Sequence, residues 1–271
     1  TFSPELAIPS AISSTSDQWK KYVRLYFRPR TPTQYSNEGF RPLQQRNLNA
    51  HCPVPVVLLF DSRNILTRQT TKFSNGNLAA GATVGDDASF LTSIPFEKVY
   101  HDSYFNPLEK AEIIFHRNAE IIIPDTLDLS CLKLIHCRSQ AEFETLINLL
   151  PHKIYLKWRN KIGVDSKFKL FYGKWAFITK TDLSMTDISF TFNPILNNLN
   201  AGPFKALLEV REHKTNTVYS WKDDNFYTNA KNPLSFSLSK MQYPERYTVL
   251  FTLDGGLAYK NTFLDESEIP F

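Results

Sequence analysis

The fold is decided by the segment KAEIIFHRNAEIII, residues 110–123. Read with the period of two that a β-strand imposes, the segment predicts one long strand with two different faces. We expect the strand to end at Pro124, because proline cannot donate to a strand ladder. One face then carries Glu112, Ile114, His116, Asn118, Glu120 and Ile122, and the other carries Phe115, Arg117, Ala119 and Ile121.

The segments around this strand predict further elements of the same domain. A short apolar run bounded by prolines, CPVPVVLLFD (52–61), is typical of a buried strand. The stretch KFSNGNLAAGATVGDD (72–87) is rich in Asn, Gly and Asp and predicts a loop, whose Asn75-Gly76 pair suits either a tight turn or a close approach to a ligand. Ser139 and Glu142 form a capping box before a helix of about three turns, which we expect to end at Pro151.

Beyond residue 152 the pattern changes to short alternating segments separated by turns. Such spacing predicts a mostly antiparallel β-sandwich, with a hairpin at Asp254-Gly255-Gly256. We therefore predict an α+β chain with two domains, residues 1–151 and residues 152–271. The second domain has 16 Lys and Arg against 12 Asp and Glu, so its surface either faces nucleic acid or is simply solvated.

Composition excludes several classes of protein. A hydrophobic content of 42% is that of a folded protein rather than a disordered one. No apolar run approaches the ~20 residues of a membrane span, and no signal-peptide pattern is present, so we expect a soluble, cytoplasmic protein without membrane contact. Its three cysteines, Cys52, Cys131 and Cys137, have no ligand spacing, so we expect neither a disulfide nor a metal site.

A basic and aromatic stretch, QWKKYVRLYFRPRTPTQY, occupies residues 18–35. Its rings and cations alternate, as they do in grooves that stack the bases and pair the phosphates of single-stranded nucleic acid. A strand pair with core aromatics and a solvated cationic face would produce the same alternation. Both interpretations remain open from the residues alone.

Four segments, taken in order, resemble the DarT family. They are YFRPRTPTQY (26–35), KFSNGNLAA (72–80), FEKVYHD (96–102) and FHRNAEIIIPD (115–125). The resemblance covers residues 20–150 and does not extend to residues 152–271. Family members are similar in fold to diphtheria-toxin-like and PARP-like transferases, and they use NAD to ADP-ribosylate a base of single-stranded DNA. The resemblance therefore implies an ADP-ribosyltransferase-like split mixed β-sheet with helices for residues 1–151.

The resemblance also implies roles for individual residues. The Arg-x-Ala-Glu pattern of residues 117–120 would carry the catalytic carboxylate, Glu120. Tyr26 and Arg30 would bind NAD, which is a substrate and requires no metal. Nucleic acid would be contacted by Arg28, Tyr35, Asn75, Asn77 and Arg117.

The family resemblance extends to partners. Single-stranded DNA is the implied partner, with RNA as an alternative. Family members act in toxin–antitoxin or phage-defence systems and commonly pair with an antitoxin protein. The resemblance leaves open which base is modified, and Thr33 stands where the family often has a long apolar residue.

The chemistry of the reaction gives Glu120 a physical role. Breaking the nicotinamide–ribose bond develops positive charge on the ribose, which a fixed carboxylate stabilises. Desolvation would raise the pKa of this carboxyl and nearby cations would lower it, and the sequence does not decide between them. The alternative is a half-exposed strand carboxylate paired with a cross-strand cation. His116 is expected to be a surface or hydrogen-bonded histidine.

The start of the chain departs from the family pattern. Family chains begin with a strand whose His grips NAD, followed by an Arg-containing segment. Here the first His is His51, the first Arg is Arg24, and the chain starts at Thr1, so we expect both elements to precede Thr1. The alternative is a scaffold that no longer binds NAD and serves as a non-catalytic nucleic-acid-binding or protein-interaction module.

Overall fold

A computed structural model describes residues 19–46, 52–124, 126–194 and 201–265. His51 and Asp125, both noted in the sequence, lie outside the described residues. The chain divides into two compact units. The first contains the described residues up to Ser36 and those from Leu58 to Lys133, and the second contains the rest. This division falls earlier in the chain than Pro151, and the predicted boundary there stays a prediction.

The first unit is built from short strands and short helices. In chain order they are β1 (Tyr22–Tyr26), α1 (Pro32–Asn37), β2 (Val56–Phe60), α2 (Ser62–Leu66), β3 (Lys72–Ser74), β4 (Val84–Gly85), α3 (Ala88–Ser93), α4 (Phe96–Val99), α5 (Lys110–His116) and β5 (Glu120–Pro124). Asp61 and Asp87 start α2 and α3, because each carboxylate accepts a backbone N–H of the first turn, from Asn64 and Phe90.

Four of these strands form an antiparallel sheet in the order β1-β5-β3-β4. The register pairs Leu25 with Ile121, and Ile121 with Phe73. Ile121, Ile123 and Phe73 lie in one apolar cluster, which α2 and α4 complete with Ile65 and Val99. One face of the sheet therefore carries the core of this unit.

The long strand predicted over residues 110–123 is wrong in its first half. Residues Lys110–His116 form α5, and the strand runs only from Glu120 to Pro124. A seven-residue segment with apolar residues at 111, 113, 114 and 115 is compatible with a short helix as well as with a strand. In the structure it is a helix, and Ile113 is its buried residue. The predicted alternation of side chains between two strand faces therefore applies only to β5, which begins at Glu120.

The loop predicted over residues 72–87 is partly wrong. Its first three residues pair with β5 as β3, and Val84–Gly85 pairs back on it as β4. Gly76 does not sit at a left-handed turn: a Cβ there would lie 2.2 Å from a ring carbon of Phe115. The glycine thus permits a close approach, but to a side chain of the protein itself.

The second unit contains helices followed by strands. Its elements are β6 (Leu132–Cys137), which begins in the first unit, α6 (Gln140–Leu149), α7 (His152–Trp158), β7 (Ile162–Val164), β8 (Ile178–Leu183), β9 (Asp187–Phe192), β10 (Phe204–Glu212), β11 (Val218–Phe226), β12 (Leu234–Ser237), β13 (Arg246–Leu253) and β14 (Gly256–Leu264). The predicted capping of α6 is confirmed, because the Ser139 side chain accepts the N–H of Glu142. The sequence did not indicate α7.

Three sheets involve these strands, in the orders β11-β10-β13-β14, β12-β9-β8 and β2-β6-β7. The first two are antiparallel, and β6 pairs in parallel with β7. One core cluster draws residues from both antiparallel sheets, including Phe190, Phe251 and Tyr259. The predicted hairpin is confirmed: Leu253 pairs with Gly256, and Asp254 and Gly255 both have positive φ, at 49° and 75°.

A buried ion cluster lies in the second unit. Arg138 makes ion pairs with Glu142 and, at 3.3 Å, with Glu38, and all three side chains are nearly fully buried. The guanidinium also lies 3.8 Å above the ring of Phe177. Burial raises the pKa of Glu142, and Arg138 opposes that rise. The cluster ties the segment around Glu38 to α6.

The α+β class predicted from the sequence is confirmed by this mixture of helices and mostly antiparallel sheets. Among the described residues, no helix has the length and apolar character needed to cross a bilayer.

Candidate active site

Strands β1 and β5 bring Tyr26 and Glu120 side by side. The two residues are register partners in an antiparallel pair, so their side chains leave the sheet on the same face. Arg24, two residues before Tyr26, lies on that face as well. Ser74 reaches it from β3, on the other side of β5, since Phe73 pairs with Ile121. The sheet face opposite the apolar core therefore gathers a carboxylate, a phenol, a guanidinium and a hydroxyl.

Glu120 lies at the start of β5, the strand flanked by neighbours on both sides, and is only 2% exposed. Its backbone N–H donates to Ser74 Oγ at 2.9 Å, and that hydroxyl donates to the Gly76 carbonyl at 2.8 Å. Its Oε2 forms an ion pair with Arg24, whose Nε lies 2.8 Å away. The Nε–H bond does not point at Oε2, so this contact is not a hydrogen bond. The buried Oε2 thus has a cation beside it but no hydrogen-bond donor among the described residues.

The electrostatics of Glu120 follow from this position. Burial raises the pKa of its carboxyl from 4.5 to about 7, and the charge of Arg24 opposes the rise. The sequence left open whether desolvation or nearby cations would dominate the pKa of Glu120, and desolvation dominates. The alternative of a half-exposed carboxylate is wrong in its exposure, although the cross-strand cation that it called for is present as Arg24.

Tyr26 is partly exposed, and its hydroxyl group is hydrogen-bonded. The residue is 37% exposed, while its phenol oxygen forms a hydrogen bond with the side chain of Thr33. Burial of the phenol group and then the charge of Glu120 raise the pKa of Tyr26. The ring therefore presents a neutral, partly exposed aromatic surface next to the carboxylate.

Arg28 and Arg30 converge on one carboxylate, that of Asp102. Arg28 lies 3.2 Å and Arg30 2.5 Å from its two oxygens. Arg28 is buried and also donates to the carbonyls of Val99 and His101, at 3.0 and 2.7 Å. Desolvation would raise the pKa of Asp102, but the two arginines hold it below its usual value. Arg28 thus anchors the segment that follows α4, and Arg30, whose side chain is 27% exposed, remains nearer to solvent.

Arg30 adopts a left-handed backbone, with φ of 53°. For a residue with a side chain this conformation costs roughly 1–3 kcal/mol and is most often kept at functional positions. Two contacts hold it: its N–H donates to Gln34 Oε1 at 2.9 Å, and its carbonyl accepts from Arg117 at 3.2 Å. The strained turn joins Arg30 to Arg117, so two of the residues implied by the resemblance are brought together.

The asparagines of the 75–77 segment are engaged within the protein. Asn75 Oδ1 accepts the N–H of Thr83 at 3.0 Å, and Asn77 Oδ1 accepts the N–H of Ala79 at 3.0 Å. Both residues are partly exposed. Tyr35, in α1, is 37% exposed. The hydrogen bonds of the two asparagines stay within their own loop and do not reach Glu120.

Two residues that precede β5 shape its start. His116 contacts the Asn75 carbonyl through Nδ1 at 2.6 Å, as expected of a hydrogen-bonded histidine. Asn118 donates to the Ile114 carbonyl at 3.0 Å and accepts from Thr33 Oγ1 at 3.2 Å. Thr33 thereby connects Tyr26 to the turn before Glu120. No sequence pattern indicated this link or the roles of Ser74 and Asp102. For Arg24, the spacing of two residues from Tyr26 was an available signal.

The side chains of the site are suited to a dinucleotide rather than to a metal ion. Among the residues that the structure describes, no group of three or more His, Cys, Asp or Glu side chains is placed to hold a metal ion. Glu120 Oε2, buried beside one cation and lacking a hydrogen-bond donor, is suited to a substrate that becomes cationic. The partly exposed guanidinium group of Arg30 is suited to phosphate oxygens.

Comparisons with known proteins bear on the same region. A family model described as "ssDNA thymidine ADP-ribosyltransferase, DarT" matches residues 9–172, more than half of the chain. No curated protein matches the sequence.

Solved structures similar to this chain were also found. The Thermus sp. 2.9 DarT in complex with ADP-ribosylated ssDNA is 14% identical, with a TM-score of 0.47, and the match covers 62% of this chain and 80% of that one. The Thermus sp. 2.9 DarT in complex with carba-NAD+ is 16% identical, with a TM-score of 0.44 and coverages of 57% and 74%. The Thermosipho africanus DarTG in complex with ADP-ribose is 16% identical, with a TM-score of 0.38 and coverages of 61% and 38%.

The matched residues contain both strands of the site, β1 and β5, and the Arg-x-Ala-Glu pattern that ends at Glu120. The chain belongs to the DarT family of ssDNA thymidine ADP-ribosyltransferases.

Proposed function

We propose that this chain transfers ADP-ribose from NAD to a thymine base of single-stranded DNA, with Glu120 as its catalytic carboxylate. The observation that carries the proposal is the burial of Glu120 beside Arg24 and Tyr26 on one sheet face. A buried carboxylate with a pKa of about 7 is suited both to stabilise positive charge and to accept a proton near neutral pH.

In the proposed reaction, the bond between nicotinamide nitrogen and ribose C1′ breaks and nicotinamide leaves with the bonding electrons. A base nitrogen forms the new bond to C1′ and gives up its proton. Glu120 faces the sugar while it is cationic, where its charge acts more strongly than in water because the surroundings are dry. The same carboxylate then accepts the proton from the base.

The roles of the other residues are proposed from their positions. Tyr26 presents a partly exposed ring beside Glu120, suited to stacking on the nicotinamide or the ribose. Arg30, held in its strained turn, is suited to a phosphate of NAD. Nucleic-acid contacts are proposed for Tyr35, Asn75, Asn77 and Arg117, and for Arg28, whose buried guanidinium would act mainly by holding the segment after α4.

For residues 152–271 we propose an accessory domain that recruits the substrate or an antitoxin partner, with residues 1–151 as the catalytic domain. Arg211 and Arg246 lie near His213, whose pKa is lowered by desolvation and then by the charges of these two arginines. A group of cations on one surface favours a polyanion such as a nucleic-acid backbone. The cytoplasm is the proposed location, since NAD and single-stranded DNA are available there.

The test uses the whole protein, NAD labelled in its adenylate part, and single-stranded oligonucleotides that differ at a single thymidine. We expect label on the thymidine-containing strand, and at least a 100-fold loss for Glu120→Gln, in the range typical of lost transition-state charge stabilisation. The matched control is Glu112→Gln, an exposed carboxylate on α5, which should keep the activity. Salt-sensitive oligonucleotide binding without label transfer in the unmodified protein would instead identify a non-catalytic binding module.

A further inference from the structure

Arg24 belongs to the basic and aromatic stretch of residues 18–35, for which the sequence suggested nucleic-acid binding. In the structure its side chain contacts Glu120 instead. Its side chain is 34% exposed, and its Nε lies 2.8 Å from Oε2 of Glu120. Arg24 pairs in the register with Ile122, two residues along β5 from Glu120. The guanidinium therefore reaches diagonally across the strand pair to the carboxylate, a distance that only a long side chain spans.

We infer that Arg24 is a positioning residue for Glu120, whose charge favours the ionised carboxylate on the sheet face before the substrates arrive. This inference rests on the proposed role of Glu120 in transfer. It assigns to a β1 side chain of this protein a task that is separate from binding NAD or DNA.

The charged and titratable groups on the neighbouring elements support the assignment. Lys72 of β3 pairs with Asp86 at 2.8 Å, and His116 bonds the Asn75 carbonyl. Arg117 donates to the Arg30 carbonyl, and Tyr26 is neutral at physiological pH. Arg24 is the cation whose charge opposes the effect of burial on the carboxyl of Glu120.

The consequence is a dependence on pH. With burial and Arg24 acting together, the Glu120 carboxyl has a pKa of about 7, so about half of it is ionised at neutral pH. An opposite charge at this distance typically lowers a carboxyl pKa by about 1–3 units. Removing Arg24 should therefore move the acid limb of the pH profile of transfer upward by about one unit or more.

The experiment compares the pH profiles of single-turnover transfer, from pH 5.5 to 9.5, for the unmodified protein, Arg24→Gln and Arg24→Lys. We expect Arg24→Gln to lose roughly fivefold at pH 7 and to recover most of the activity above pH 9, because its carboxyl ionises later. Arg24→Lys, which keeps a charge on a flexible stem, should show a smaller shift. The matched control is Lys72→Gln, which removes an equally exposed cation from the same sheet without touching Glu120.

A second measurement needs neither substrate. The melting temperature of the unmodified protein should fall with pH until Glu120 is ionised near pH 7, and in Arg24→Gln the fall should continue to higher pH, whereas Lys72→Gln should follow the unmodified protein. An equal loss of transfer at every pH, or a raised KM for NAD with an unmoved acid limb, would overturn the inference. Either result would leave the role of Glu120 intact, since that role is tested by Glu120→Gln.

Discussion

Replacing Glu120 by Gln should inactivate the protein and at the same time make it more stable at neutral and alkaline pH. The side chain is 2% exposed, and its ionised form is held away from water with one cation nearby. Gln has nearly the same shape and carries no charge. The catalytic carboxylate would then be a position at which activity is maintained at a cost in stability.

The magnitude follows from the pKa of the carboxyl. Its rise from 4.5 to about 7 makes the ionised folded state about 3 kcal/mol less stable than it would be with an unperturbed carboxyl, because each pKa unit corresponds to about 1.4 kcal/mol. Below about pH 4.5 the Glu120 carboxyl is protonated in both the folded and the unfolded state, and its burial then does not reduce the free energy of unfolding. Between pH 4.5 and 7 the folded state binds a proton that the unfolded state has released, so stability falls as pH rises. Above about pH 7 the full cost remains.

The assay is thermal and urea unfolding of both proteins between pH 4.5 and 8.5, without substrates. We expect equal stability at the acid end and an advantage of about 3 kcal/mol for Glu120→Gln at pH 8. Glu112→Gln serves as the control: its carboxylate is exposed and paired with Lys98, which lowers its pKa, so the variant should show no such gain. A variant Glu120→Gln that is less stable at pH 8, or a difference that does not grow with pH, would refute the desolvation of Glu120.

Three further substitutions test the support of the site and, in the second unit, the buried ion cluster. Ser74→Ala should cost about 1–3 kcal/mol and slow transfer, because the buried N–H of Glu120 loses its acceptor; unfolding and kcat together check this. Gly76→Ala should cost about 1–3 kcal/mol, since the added Cβ lies 2.2 Å from the Phe115 ring, and Phe115→Leu in the same protein should restore part of the loss. Arg138→Met should cost about 3–5 kcal/mol at pH 8 and less at pH 5, where Glu142, whose pKa burial raises, can be protonated.

The family assignment made from four segments is confirmed by the family match, and so is the α+β class. The assigned roles of Glu120, Tyr26, Arg30 and the nucleic-acid residues stay predictions. Two local errors have one cause. Residues 110–116 and 72–74 carry patterns that suit two kinds of secondary structure. Tertiary contacts decided between them: the burial of Ile113 in one segment and the pairing of the other with strand β5.

What the sequence by itself determined was whatever depends on neighbours along the chain. The Ser139 cap, the Asp254-Gly255 turn and the alternation of the β10 to β14 strands are local, because hydrogen bonds and φ angles within a few residues settle them. Only the tertiary structure decided that Glu120 is buried, that Arg24 lies beside it and that Arg28 turns inward to backbone carbonyls. Those facts depend on strand register and on exclusion of water, which arise when segments nearly a hundred residues apart pack together, and no periodicity along the chain encodes them.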